Sequence, residues 1–142
     1  MAEALQRPRW LPAVGIDLVQ VCDVQQALSQ HGDVYLKRLY TSDEIEYSRR
    51  SASEMPRRLA ARFAAKEATL KVLRPTGHWL DWRLIEVTRT EHGHCEIELH
   101  GAAAALADEQ GIGALSVSFS HENDLAVAVV MGLRHRSEDR KS

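Results

Sequence analysis

Three residues have the types and placement to do chemistry: Asp17 inside "VGIDLVQV" (14–21), and Glu67 and Lys71, four apart in "RFAAKEATLK" (62–71). On a solvated helix face a Glu-then-Lys pair at this spacing contributes only ~0.3–0.5 kcal/mol. On an ideal wheel of about 100° per residue, however, the pair falls between two groups. One is a bulky apolar stripe of Leu59, Phe63, Leu70 and Leu73; the other is a small flank of alanines ending in Val72. The expected wet side is Arg62, Lys66 and Thr69. Alanines beside a charged pair let another backbone or a ligand come close. Asp17 is out of place in a strand, and an unpaired carboxylate is costly to bury. Gly15, two residues earlier on the same strand face, leaves space beside it. Asp17 either caps a turn at a strand end or meets Glu67 across a strand–helix contact. In the second case the two carboxylates suit Mg²⁺, which keeps waters and takes phosphate oxygens. Lys71 then adds a cation beside the same phosphates.

Other chemistries lack their residues. There is no glycine-rich phosphate loop, no nucleophile elbow and no zinc spacing. Ser120 and His121 close "SFSH" (118–121) just before a turn, where side chains can reach a ligand. Cys22 and Cys95 are too few for a disulfide framework. The net charge of −2 argues against general nucleic-acid binding. Residues 37–71 carry a net +4 and the rest −6, so a basic middle could attract an anionic ligand or an acidic partner. No apolar run reaches the ~18–20 residues of a membrane span, and "MAEALQRPRW" lacks a signal pattern. A cytoplasmic protein is expected.

The elements that must position these residues can be read in order. At 142 residues, 44% hydrophobic, the chain suits one domain, with 1–11 and 135–142 as loose extensions. Residues 12–21 read as a strand. Residues 23–31 read as a short helix stopped by Gly32. "TSDE" (41–44) is a capping box starting a helix to about residue 51. Ser53 opens the next helix, Pro56 suits its first turn, and it ends near Leu73, before Pro75. "RLIEVTRT" (83–90) and "CEIELH" (95–100) form a hairpin, 102–110 a helix ending at Gly111, and "LSVSFSH" with "LAVAVVMGL" a second hairpin. This predicts an α+β fold, a mainly antiparallel sheet packed on a long central helix.

"GIDLV", "RFAAKEATLK" and "VSFSHENDLAVAVV" occur in an order that resembles holo-acyl-carrier-protein synthases, the small 4′-phosphopantetheinyl transferases, over roughly residues 13–132. The resemblance implies transfer of 4′-phosphopantetheine from coenzyme A to a serine of an apo acyl carrier protein or carrier domain. Adenosine 3′,5′-bisphosphate would be released, and Mg²⁺ used. Asp17 and Glu67 match the family's metal ligands, and Lys71 the lysine near the pyrophosphate. Ser120 and His121 match residues close to the nucleotide, and Arg62 is added to the coenzyme A-binding set. Glu67 and Lys71 are the catalytic pair; the base that takes the serine proton stays open between Glu67 and a water. Small members form homotrimers with active sites between subunits, which implies the same here. The basic 37–71 segment suits an acidic carrier, with Arg49, Arg50, Arg57, Arg58 and Arg62 the first side chains to test. Three departures stand out. Gln20, Cys22 and Asp23 replace an acidic-then-basic pattern that commonly helps hold the carrier; "RPTGH" (74–78) replaces a glycine-rich turn; and Cys95 replaces a usual proline. The rival reading is a non-catalytic module that binds coenzyme A or a carrier protein.

Overall fold

The computed structural model describes residues 9–77 and 79–135. Its elements are β1 (Trp10–Gln20), α1 (Val21–Leu39), α2 (Ser42–Arg49), α3 (Met55–Leu73), β2 (Ile85–Arg89), β3 (Cys95–Leu99), α4 (Gly101–Glu109), β4 (Ile112–Glu122) and β5 (Leu125–His135). A 3₁₀ turn, Trp82–Leu84, leads into β2. The order and the α+β class agree with the sequence reading. Of the stretches 1–11 and 135–142 expected to be loose, Trp10 and Leu11 belong to β1 and His135 to β5. Residues 1–8 and 136–142 lie outside the described residues.

The strands form two sheets. One is antiparallel in the order β1-β5-β4; the other is the β2–β3 hairpin. β1 pairs with β5 along its whole length, from Trp10 opposite His135 to Gln20 opposite Leu125. Alternation gives the three-stranded sheet two faces. Ala13, Gly15, Asp17 and Val19 of β1 and Ala126, Ala128 and Val130 of β5 turn toward α3. The other face presents Val14, Ile16, Leu18, Met131 and Leu133, each 46–59% exposed.

Local signals explain most boundaries. The capping box of α2 is present: Thr41 Oγ1 accepts from the Glu44 amide at 3.2 Å, and the Thr41 amide donates to Glu44 Oε1 at 2.8 Å. Pro56 sits in the first turn of α3, where it removes no needed donor, with Glu54 rather than Ser53 at the cap position. Gly32 ends the first helical segment as expected, and a second segment that the sequence reading did not include follows it directly. Gly32 takes a positive φ of 50° and kinks α1, and the helix resumes to Leu39. The continuation buries Leu36 and carries Tyr40 into the core, which outweighs the local break.

α3 spans both halves of the core. Its N-terminal half packs with Val19, Val24, Leu36 and Tyr40, and its C-terminal half with Ala13, Ile85, Ala103 and Val130. It therefore has no wet side of the kind expected. Lys66 and Thr69 are fully buried and Arg62 is 5% exposed. α2, β2 and the 3₁₀ turn cover that flank. Lys66 is accommodated because its ammonium donates to Glu44 Oε1 at 2.8 Å and to the carbonyls of Trp82 and Ile85 at 3.0 and 2.6 Å. Thr69 turns its hydroxyl back to the Ala65 carbonyl at 2.7 Å.

Candidate active site

β1 and α3 touch at Gly15. A Cβ built there would lie 2.0 Å from the Ala68 carbonyl oxygen and 3.1 Å from Lys71 Cβ, so only glycine permits this approach. Asp17, two residues along on the same face, is thereby laid against the Glu67–Lys71 turn. Lys71 reaches across the contact: its Nζ donates to the Ile16 carbonyl at 2.6 Å and to Asp17 Oδ1 at 3.3 Å. The Asp17 side chain is 16% exposed, while that of Lys71 is 55% exposed. Asp17 Oδ2 is buried and has no hydrogen-bond partner among the described residues.

Glu67 responds electrostatically to this neighbourhood. Its carboxyl pKa is raised to about 7, first by burial and then by the neighbouring Asp17 carboxyl; Lys71 opposes the shift. Two carboxylates thus share one ammonium. That leaves a deficit of positive charge beside an orphaned carboxylate oxygen. Such a donor set fits a hard divalent cation that keeps open positions for phosphate oxygens.

A groove of about 380 Å³ runs from Glu67 past Phe63, Leu39, Val24, Val19 and Leu18, with Gln20 and Asp23 on its rim. It leaves room beside Glu67 for a flexible chain along a mainly apolar wall. Asp23, one of the departures noted in the sequence, borders this groove directly.

The structure thus brings Asp17, Glu67 and Lys71 together. It does not bring the other named residues to them within one chain. Ser120 and His121 lie two strands away, on β4, next to Phe119, which is in register with Ala128 and Asp17. Adjacent strand residues face opposite ways. His121 therefore shares the α3-facing side with Asp17, and its Nδ1 is 3.5 Å from Arg57. Ser120 points to the outer, apolar face. Arg62 turns away from Asp17, over the Tyr47 ring at 4.4 Å, and donates to the Arg58 carbonyl at 3.2 Å.

One group went unmarked in the sequence. Glu86, Glu98 and His100 bring three ligand-type atoms within 4.8 Å of one another. Strand alternation carries the signal, because Glu86 and Glu98 are direct cross-strand partners. Glu86 is already engaged, accepting from Thr41 Oγ1 at 2.6 Å and lying 3.1 Å from His100 Nε2. It ties the hairpin to α2.

Comparison with known proteins places these features. The family model described as the 4′-phosphopantetheinyl transferase superfamily matches residues 13–130, and the chain belongs to that family. Among its relatives is the holo-[acyl-carrier-protein] synthase of Solibacter usitatus, 39% identical over 119 residues, covering 82% of this chain and 94% of the relative. Helicobacter pylori holo-[acyl-carrier-protein] synthase in complex with coenzyme A superposes with a TM-score of 0.71 at 27% identity, covering 84% and 98% of the two chains. The Chronobacterium ammoniagenes ACPS–CoA complex gives 0.76 at 27% identity, covering 89% and 98%.

Proposed function

We propose that this chain is a holo-acyl-carrier-protein synthase. It moves 4′-phosphopantetheine from coenzyme A to a serine hydroxyl of an apo acyl carrier protein or carrier domain. The observation that carries the reading is the convergence of Asp17, Glu67 and Lys71 at the Gly15 contact, in a chain whose relatives are named for this activity. In the reaction the serine oxygen bonds to the phosphorus that carries the pantetheine arm. The diphosphate bridge breaks, adenosine 3′,5′-bisphosphate leaves, and the serine proton passes to the base, Glu67 or a water.

The residues have separable tasks. Asp17 and Glu67 would hold Mg²⁺; the unpartnered Asp17 Oδ2 and the charge deficit around Glu67 support this. The ion supplies charge neutralisation for the diphosphate. Lys71 is anchored on the Ile16 carbonyl and Asp17 yet half exposed, so its ammonium can meet charge growing on the leaving phosphate oxygen. The groove beyond Glu67 gives the pantetheine arm a mainly apolar path. Positioning and electrostatics are most of what phosphoryl-type transfer asks of a protein.

The proposal includes a homotrimer. The exposed face formed by Val14, Ile16, Leu18, Met131 and Leu133 supports self-association, since apolar surface of this kind marks an interaction site. Ser120 stands on that face, so association would present it to another copy. Among the described residues no helix is long and apolar enough to cross a membrane. Together with two unpaired cysteines, this supports a cytoplasmic enzyme.

The test is incubation with coenzyme A, Mg²⁺ and a panel of apo carrier proteins, read by intact-protein mass spectrometry. A phosphopantetheine adduct on a carrier serine is expected, and it disappears in Asp17→Ala and Glu67→Ala variants that remain folded. Full transfer by both variants would overturn the site; no adduct on any carrier, with coenzyme A still bound, would favour the non-catalytic module.

A further inference from the structure

The groove at Glu67 is lined by two carboxylates, Asp23 and Glu67, and by no Lys or Arg. Its other walls are apolar or neutral, with Gln20 beside Asp23 at the rim. The basic segment 37–71 does not supply a cation to this lining. Arg50, Arg58 and Arg62 line a cavity between α2, α3 and the β2–β3 hairpin that shares no residue with the groove. Lys66 is buried against Glu44. Arg38 lines a further cleft, which shares only Tyr35 and Leu39 with the groove. Lys71, one turn beyond Glu67 on α3, is turned to the Ile16 carbonyl and Asp17.

Asp23 therefore sets the charge of the rim. It is exposed in the first turn of α1 and, among the described residues, makes no ion pair. A carboxylate in a first turn is often accounted for by the helix's own amides. Here Asp124 answers them: its Oδ2 accepts from the Cys22 amide at 3.3 Å, and its carbonyl accepts from the Val21 amide at 2.8 Å. The Cys22 thiol lies 3.9 Å from Asp23 Oδ1, so a second carboxylate stands at the same end of α1. Asp23 and Glu67 line one groove. A serine oxygen that reaches phosphorus beside Glu67 must bring its flanking residues along this rim.

We propose that Asp23 is a specificity residue: it selects a carrier with a lysine or arginine beside the modified serine and disfavours one with an acidic residue there. The inference rests on the transferase reading and names the class of carrier that the site takes. Opposite charges across a solvated rim govern partner choice and encounter more than tight binding, and like charges placed together oppose docking. Asp23 stands at the rim and not at the contact of Asp17, Glu67 and Lys71. It acts on the approach of the carrier, so its mark falls on KM and not on kcat.

The test takes an apo carrier from the panel above in three forms, with Lys, Gln or Glu at the residue before the modified serine, and a matched set at the residue after it. Initial rates are read by intact-protein mass spectrometry at saturating coenzyme A and constant ionic strength. With the parent enzyme we expect the Lys form to show a KM about tenfold below that of the Glu form at one of the two positions. The two kcat values should agree within about twofold, and the KM difference should shrink as salt rises. Asp23→Asn should remove the preference and Asp23→Lys should reverse it, each with the parent kcat on the Gln form; a cooperative thermal melt of either variant suffices for the comparison. Equal KM for all forms at both positions, a preference carried by kcat alone, or a preference that survives in the folded variants would each overturn the inference and leave the transferase reading standing. No adduct on any carrier of the panel would overturn that reading, and this inference with it.

Discussion

Gly15→Ala tests whether one backbone contact sets the active-site geometry. The added Cβ would lie 2.0 Å from the Ala68 carbonyl oxygen, about 1.4 Å inside ordinary contact, and the obstacle is helix backbone rather than a side chain that can swing away. β1 must therefore withdraw from α3 by on the order of 1 Å. Overpacking of this kind costs about 1–3 kcal/mol, and a 1 Å misplacement of catalytic groups costs roughly 10²-fold in rate. Asp17 rides on β1 and Glu67 on α3, so the two carboxylates are the groups pulled apart. The assay is the rate of carrier modification by mass spectrometry, paired with a thermal melt. Gly113→Ala is the control: nothing lies within 4 Å of a Cβ at that position. We expect Gly15→Ala to lose about 100-fold in rate with a lowered but cooperative melt, and Gly113→Ala to match the parent. A Gly15→Ala protein within roughly threefold of the parent rate would show that the strand–helix contact does not govern the site.

Three other outcomes follow from the same structure. Lys66→Met leaves Glu44 charged in a fully buried position and should cost about 3–5 kcal/mol in urea unfolding; adding Glu44→Gln should restore part of it, and no recovery in the double variant would count against the pairing. Glu67, with its folded pKa of about 7 above the ordinary 4.5, binds its proton more tightly in the folded chain. Metal-free stability should therefore decline as pH rises from about 4.5 to about 7. Mg²⁺ affinity should fall as pH drops below about 7, with a proton released on binding, and calorimetry in two buffers of different ionisation enthalpy measures this. Ile16→Glu places a charge on the exposed sheet face and, if that face carries the proposed trimer, should lower the mass seen in light scattering to that of a monomer, whereas an unchanged trimer mass would remove that face from the interface.

What the sequence discloses depends on how local the cause is. Thr41 and Glu44 announce the start of α2 because the capping box closes within four residues. The alternation of 115–121 discloses β4 for the same reason. The wheel singled out Glu67 and Lys71 but named the wrong wet side, since Lys71 is exposed and Arg62, Lys66 and Thr69 are buried; Gly15 beside Asp17 hinted at the close approach. The burial of Arg62, Lys66 and Thr69 was not legible. A wheel reports contrast around one helix, and Lys66 is made tolerable by Glu44, 22 residues earlier, and by two carbonyls further along the chain. Gly32 was legible as a break because its cause is local, but the helical segment after it was not, because that segment is held by the core around Leu36 and Tyr40. The opposite facing of Ser120 and His121 was available from strand parity alone, whereas their two-strand separation from Asp17 required the β1-β5-β4 order.

Lys66 and Lys71, five residues apart on α3, contrast a structural ion pair with the one proposed to act in the reaction. Lys66 has three donors and three partners, with Glu44 as its counterion, and no exposed surface. Its bonds are complete, so it can fix the fold but offers nothing to a ligand. Lys71 has two partners, and its side chain is half exposed. Asp17 likewise commits one oxygen and leaves the other buried without a partner among the described residues, and Glu67 holds a proton more tightly than a solvated carboxyl does because burial, and then the neighbouring Asp17 carboxyl, disfavour its charged form. Residual bonding capacity and residual charge coincide at a single strand–helix contact. A divalent cation and a diphosphate would remove both together, and for that reason the ionisable groups at Gly15 read as a reaction site rather than as a brace.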